Sequence, residues 1–191
     1  KSVQRQLIEK ATGSITGHLQ VQNRSIKEYK FPDKYIDDPA PVEAALSQQR
    51  GVKAFGKRIN VTGLVSSPAG SVGAMICAVE PEKEKQITTM SSYINQGRYL
   101  GGAAGGIGGS AGAARTNSLT GGEHEAVLGE KIAQRLDLRL GEKVVVMAQA
   151  DDGSMGAEAF RVVGIFHTGS TTFDGQFIYI PGGRFDKPRH A

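Results

Sequence analysis

The chain of 191 residues is poor in the residue types that build disulfide frameworks and aromatic cores. Its only cysteine is Cys77, which excludes an internal disulfide framework and a metal site of the CxxC type. Tryptophan is absent and aromatic residues make up 6% of the chain, so the core must consist mainly of Val, Ile, Leu and Ala. No uninterrupted apolar run approaches the roughly 18 residues of a membrane helix. These features leave a globular domain with an aliphatic core.

The sequence also lacks the charge pattern of a nucleic-acid-binding protein. The formal net charge of +4 comes from 23 basic and 19 acidic residues, and the two signs are interspersed along the chain. Nucleic-acid binding requires basic residues that cluster into a stripe or patch. The sequence therefore predicts no nucleic-acid partner.

Glycine is abundant, with 26 residues, and the excess is concentrated in residues 101–122. Within this segment, residues 106–111 fit the GxGxxA form of a dinucleotide-binding loop, and residues 108–112 fit the GxSxG pattern around a nucleophilic serine, here Ser110. Both patterns require a buried strand directly before them, and residues 101–106 consist only of glycine and alanine. We therefore predict a glycine-rich linker or loop over residues 101–122, with no cofactor.

The other candidates for catalytic or metal chemistry are equally isolated. Ser110, then Asp151 or Asp152, then His167 follow the chain order of a hydrolase triad, but the predicted strands are too few for the large parallel sheet of such enzymes. The Asp151–Asp152 pair lacks the alternating oxygen ligands and the final Glu of a calcium loop. The four histidines have no metal-binding spacing: His18, His124, His167 and His190. The sequence predicts no enzyme and no catalytic, cofactor-binding or metal-binding residue.

Hydrophobic periodicity predicts an α+β fold, in the order β, α, β, β, glycine-rich linker, α, β, β, β. Cys77 lies in an apolar run that we predict to be a buried, central strand, and the mixed charges of residues 80–85 are typical of a solvated face. The expected helices are 2–12, one that starts after Asp38, a short charged one within 81–89, and 126–137; the expected strands are 18–22, 57–65, 71–79, 143–149, 159–166 and 173–180.

A series of short phrases carries a family resemblance. In chain order they are residues 17–22, 97–100, 127–133, 141–144, 160–166, 168–169, 173–174 and 178–181. This ordered series resembles the MacB-like periplasmic core domain that FtsX-type ABC permeases, including LolC and LolE, carry between their first two membrane helices. The resemblance implies a membrane-proximal helix and a porter-like α+β subdomain in residues 1–100, a mostly β, sabre-like subdomain in residues 123–181, and a tail in residues 182–191.

The resemblance also implies a function and partners. ATP would be hydrolysed by a separate cytoplasmic subunit, and this domain, tethered to the extracytoplasmic face of the bacterial inner membrane, would couple that hydrolysis to the handling of a substrate or lipoprotein. Further partners would be a second permease copy or homologue and an envelope lipoprotein or periplasmic adaptor. Residues 1–11 would be the outer end of a transmembrane helix. The alternative is a stand-alone envelope binding or adhesion module without an ATPase partner.

Overall fold

The protein, seen in a computed structural model, is described over residues 19–22, 36, 38–101, 124–149 and 155–182. Its helices are α1 Ala40–Ser47, α2 Pro81–Ile87, a 3₁₀ helix Met90–Tyr93, α3 Glu130–Arg135 and α4 Thr171–Asp174. Its strands are β1 Arg58–Ser67, β2 Gly70–Val79, β3 Ile94–Gly97, β4 Glu125–Gly129, β5 Lys143–Gln149, β6 Met155–Phe166 and β7 Phe177–Pro181. Short helices on one mixed sheet make the predicted α+β class.

The sheet closes on itself. Its strand order is β3-β6-β4-β7-β2-β1-β5, and β5 pairs in addition with β6, so the last six strands form a ring and β3 extends it along the end of β6. The β2–β7 and β4–β6 pairs are parallel, and the remaining pairs are antiparallel. The hairpin of β1 and β2 and the central place of β2 confirm the sequence-based prediction.

The interior of the closed sheet is aliphatic. Alternate residues of each strand point inward, as period-two patterning requires, and α3 adds Ile132 and Ala133. We call this the closed-sheet core. Its buried strand residues include Val65, Ala74, Ile76, Ala78, Ala126, Leu128, Val144, Val146, Phe160, Val162, Ile178 and Ile180.

A second apolar layer lies on the outside of the sheet. Residues 80–101, which contain α2, the 3₁₀ helix and β3, cross the outer face of β2, β7 and β4; we call them the covering segment. The segment contributes Met90, Tyr99 and Leu100 to a cluster with outward-facing strand residues. These three residues, Phe173 of α4 and five outward-facing strand residues form what we call the outer cluster; the strand residues are Cys77, Val79, Val127, Phe166 and Tyr179. Cys77 is thus buried, as predicted.

Two predicted elements are wrong. Residues 126–129 belong to β4 instead of starting the helix predicted over 126–137, because β4 is inserted between β6 and β7 and its residues are fully or nearly buried there. Residues 173–174 belong to α4, which starts where the Ser170 Oγ accepts a hydrogen bond from the Phe173 N–H, instead of to the strand predicted over 173–180.

The strand predicted over residues 18–22 is also not present where the structure describes it. Residues 19–22 form no strand, and Leu19 and Val21 are 91% and 56% exposed. The alternating segment has no partner strand among the described residues, and an alternating sequence forms a β-strand only when it can pair with a neighbouring strand. The structure also contains β3, a four-residue strand that the sequence did not predict.

Several sequence-based predictions lie outside the described residues. These are the helix over 2–12, almost all of the glycine-rich segment 101–122 and most of the tail 182–191. The division into two subdomains stays a prediction; described strands from both sides of the glycine-rich segment share the closed sheet. Within the described ranges no helix is both long enough and apolar enough to span a membrane.

Candidate functional site

The start of the covering segment is held to the sheet by a buried ion pair. Arg58, at the beginning of β1, pairs with Glu84 of α2, whose side chain is 4% exposed. Thr88 donates its hydroxyl to Glu84 Oε1 at 2.9 Å, and the Lys57 N–H donates to Glu80 Oε2 at 3.0 Å. Charge-assisted hydrogen bonds of this kind fix geometry more strongly than neutral ones. These contacts therefore hold α2 against the beginning of β1.

The end of the covering segment is held by a second ion pair. Arg98 makes a bidentate ion pair with Glu125 of β4: Nη1 donates to Oε2 at 3.0 Å, and Nη2 donates to Oε1. The Gly101 N–H adds a bond of 3.3 Å to Glu125 Oε2. Just before this pair, Gly97 has φ 76°, and any side chain there would collide with the Val163 carbonyl. The covering segment is thus bound closely to the sheet at the point where it leads into the glycine-rich segment.

Between the two ion pairs the contact is aromatic and partly polar. Phe166 and Tyr179 meet edge to face, with ring centroids 5.9 Å apart, and Tyr99 packs into the same cluster. The hydroxyls of Tyr99 and Tyr179 are buried and have no hydrogen-bond partner among the described residues. Burial raises the pKa of Cys77 to about 12, so its thiol is an inert core group.

A third polar junction joins the ends of β6, α3 and α4. His167 Nδ1 lies 2.9 Å from Glu130 Oε2 and 3.1 Å from Asp174 Oδ2. Asp174 is 1% exposed, and its other carboxylate oxygen accepts from the N–H and the hydroxyl of Thr168 at 2.9 and 2.7 Å. The His167 N–H donates to the Tyr93 carbonyl, which connects this junction to the covering segment.

A shallow groove of about 230 Å³ opens beside this junction. It runs between α3 with its following loop and the sheet at β3 and β6. Its polar lining mixes both charges: Gln96, Glu130, Gln134, Asp137 and Arg139. A lining of both charges and two amides suits contact with a polar protein surface.

Of the residues considered for a catalytic triad, the structure describes only His167. His167 contacts Glu130 and Asp174, whereas Ser110, Asp151 and Asp152 lie outside the described residues, as do the glycines of the dinucleotide-like pattern. His124 contacts Glu158 at 3.3 Å. Across the parts of the chain that the structure describes, no group of three or more His, Cys, Asp or Glu side chains could hold a metal ion.

Sequence reasoning missed the residues that hold the covering segment. Glu84 was placed on a solvated face with its charged neighbours, but it is buried because Arg58, 26 residues earlier, reaches it. Arg98 lies within one of the family phrases, and nothing in the sequence marks Glu125 as its partner. The available signal was Thr88 four residues after Glu84, which is the spacing of a helical contact but too common to identify a buried acid.

Comparisons with known proteins agree with the fold. Residues 1–190 match the family model described as MacB-like periplasmic core domain. A search of curated proteins gave no match. A similar solved structure is the extracellular domain of the noncanonic ABC-type transporter YknZ from Gram-positive bacteria, at 13% sequence identity and a TM-score of 0.50. The alignment covers 81% of this chain and 66% of that chain. At this identity the similarity is evidence for a shared fold only. The chain belongs to the family of MacB-like periplasmic core domains.

Proposed function

We propose that this chain is the non-catalytic, extracytoplasmic domain of an ABC transporter permease. ATP is hydrolysed by a separate cytoplasmic subunit, and the domain couples that hydrolysis to the handling of a substrate or lipoprotein in the cell envelope. The observation that carries the proposal is the family match over residues 1–190. The domain is tethered to the extracytoplasmic face of the bacterial inner membrane by helices of the permease.

The contacts of the described residues support a mechanical role. The closed sheet has a continuous aliphatic core and behaves as a rigid body. The covering segment is attached to it by two ion pairs, Arg58–Glu84 and Arg98–Glu125, which form or break as discrete contacts. Rigid bodies joined by such contacts move by hinge or shear, which is how domains pass motion from one site to another.

The proposal includes partners that the family match suggests. The ATPase subunit acts through the membrane part of the permease, and a second permease copy or a homologue lies beside this domain. An envelope lipoprotein or periplasmic adaptor docks on the exposed surface, for which the groove between Gln96 and Arg139 offers polar groups of both signs.

The test uses the intact gene product in a membrane. It is purified with its neighbouring subunits, reconstituted, and assayed for ATP hydrolysis and for co-purification of an ABC ATPase. Arg98→Glu and Glu125→Arg are each expected to reduce coupling of hydrolysis to transport, and the exchanged pair is expected to restore it, because the ion pair is reversed and kept.

Glu82→Arg is the matched control, because Glu82 is 72% exposed and its ion pair among the described residues is the exposed one with Lys85, so coupling should stay unchanged. Failure of any ATPase to co-purify, together with recovery of a free protein from the envelope, would contradict the proposal. That result would favour a stand-alone binding or adhesion module.

A further inference from the structure

Two tyrosine hydroxyls are buried beneath the covering segment without a hydrogen-bond partner among the described residues. They belong to Tyr179, which is fully buried on β7, and to Tyr99, which is 7% exposed on the covering segment. A phenolic hydroxyl can donate one hydrogen bond and accept another, and leaving it buried and unpaired costs about 1–3 kcal/mol. Native structures rarely keep such groups without a partner, so two in one cluster require an explanation.

The surroundings of these hydroxyls are polar. Tyr179 lies beside Cys77 in the β2–β7 register, and Cys77 lies opposite Asn60 of β1. Arg58 is two residues before Asn60 on the same outward face and pairs there with Glu84 from the covering segment. Arg58 lies opposite Val79 in the β1–β2 register, and Val79 packs in the same cluster as Tyr99 and Tyr179. The ion pair therefore lies at the border of the cluster that contains both rings.

We propose that ordered water is bound between the covering segment and the closed sheet, and that it links the hydroxyls of Tyr99 and Tyr179 to the Arg58–Glu84 ion pair. Buried water is found where several polar groups converge, and it makes two to four hydrogen bonds there. Two hydroxyls, a guanidinium and a carboxylate supply those groups. The inference is independent of the proposed transport function, because it concerns how two layers of this domain are joined.

Such water changes how the covering segment is attached. Hydrogen bonds through water nearly equal direct ones in enthalpy, and they tolerate small shifts of the groups that they join. The interface at Tyr99 and Tyr179 can therefore slide without losing its hydrogen bonds, which a direct and dry contact could not do.

The sign of a Tyr→Phe substitution tests the proposal. In the full chain, Tyr99→Phe and Tyr179→Phe should each lower the folding equilibrium constant about fivefold, because each removes one hydrogen bond to bound water. The double variant should lose about as much as one single variant, because the same water is disrupted. Tyr93→Phe is the control, since Tyr93 packs against the same cluster but is only half-buried, and its effect should be within twofold.

Unchanged or increased stability in both single variants would overturn the proposal, because removing a truly unpaired hydroxyl is neutral or favourable. Independent effects that multiply in the double variant would also overturn it. A crystal structure of the chain at a resolution that shows ordered water is the second measurement. Water within hydrogen-bonding distance of both hydroxyls supports the site, and a direct bond between Tyr99 and Tyr179 or a dry interface refutes it.

Discussion

The two faces of the closed sheet are covered in different ways. The inward face is filled by Val, Ile, Leu, Ala and one Phe, and its described buried members are all apolar. The layer between the outward face of β2, β7 and β4 and the covering segment contains aromatic rings, a thiol and two tyrosine hydroxyls, and it is flanked by the ion pairs at either end of the covering segment. Both layers bury residues completely, but the Arg58–Glu84 ion pair and the two buried tyrosine hydroxyls belong to the outer one.

The difference between the two layers predicts the order in which they unfold. Apolar packing is non-directional and is shared by every strand of the ring, so the closed-sheet core should unfold only as a whole. The covering segment adds one short strand, β3, at the end of the sheet, with a backbone hydrogen bond on either side of it, and is attached elsewhere mainly through side chains. Such elements open locally at a lower free energy than the rest of a domain. We expect the covering segment to detach first.

The largest expected effect separates global from local unfolding. Ile178→Ala, in β7 and fully buried in the closed-sheet core, should destabilise the domain by about 4 kcal/mol. Leu100→Ala, equally buried but in the outer cluster, is the matched control and should cost less. Denaturant unfolding and hydrogen exchange measure both. Ile178→Ala should lower protection in all strands, whereas Leu100→Ala should lower it mainly in residues 80–101; identical patterns would contradict the comparison.

A buried charge gives the next largest effect. Glu84→Ala should destabilise the protein by about 3 kcal/mol, because it removes the buried carboxylate that pairs with Arg58 and accepts from the Thr88 hydroxyl. Glu82→Ala on the same helix removes an exposed pair with Lys85 and should change stability by less than about 0.5 kcal/mol. Thermal or denaturant unfolding is the measurement. Equal effects of the two substitutions would mean that Arg58–Glu84 does not hold the covering segment.

A smaller effect tests how closely the covering segment approaches the sheet. Any side chain at Gly164 of β6 would collide with the Arg98 carbonyl, so Gly164→Ala should cost about 2 kcal/mol through a forced backbone shift. Gly156 of the same strand is exposed and has room for a Cβ, so Gly156→Ala should lie within about 0.5 kcal/mol of the wild type. Both are measured by denaturant unfolding, and a neutral Gly164→Ala would place the covering segment further away.

The smallest effect depends on pH. Because burial raises the pKa of Cys77 from 9.0 to about 12, the unfolded chain ionises this thiol first, and native stability falls as pH rises above 9. The wild type should lose about 1.4 kcal/mol more than Cys77→Ala between about pH 8 and pH 10. Parallel curves for the two proteins in denaturant unfolding would indicate that the thiol is accessible in the folded state.

The part of the fold that the sequence predicted well is the part set by local pattern. The alternating residues of β1, the apolar run of β2 and the strand Lys143–Gln149 follow from period two, and the turn before Gly70 closes the hairpin. The burial of Cys77 follows from the same run. These features need no information from distant residues.

The part that the sequence predicted badly depends on distant partners. Leu128, Ile132 and Leu136 recur at helical spacing, so residues 126–129 looked like the start of α3, yet they pair with β6 and β7. The same holds for Glu84, whose burial depends on Arg58. Pairing between segments that are far apart in the chain leaves little trace in the sequence of either segment. The strands β3 and β4 and the candidate site could therefore be found only from the structure.

Hydrogen exchange on the intact protein in its membrane, with and without ATP hydrolysis, tests the separation of the two layers most directly. We expect amides of residues 81–101 to open at a lower free energy than those of β5 and β7, and to change their protection when ATP is hydrolysed, while the closed sheet stays unchanged. Equal protection of the covering segment and the closed sheet, unaffected by nucleotide, would contradict the account.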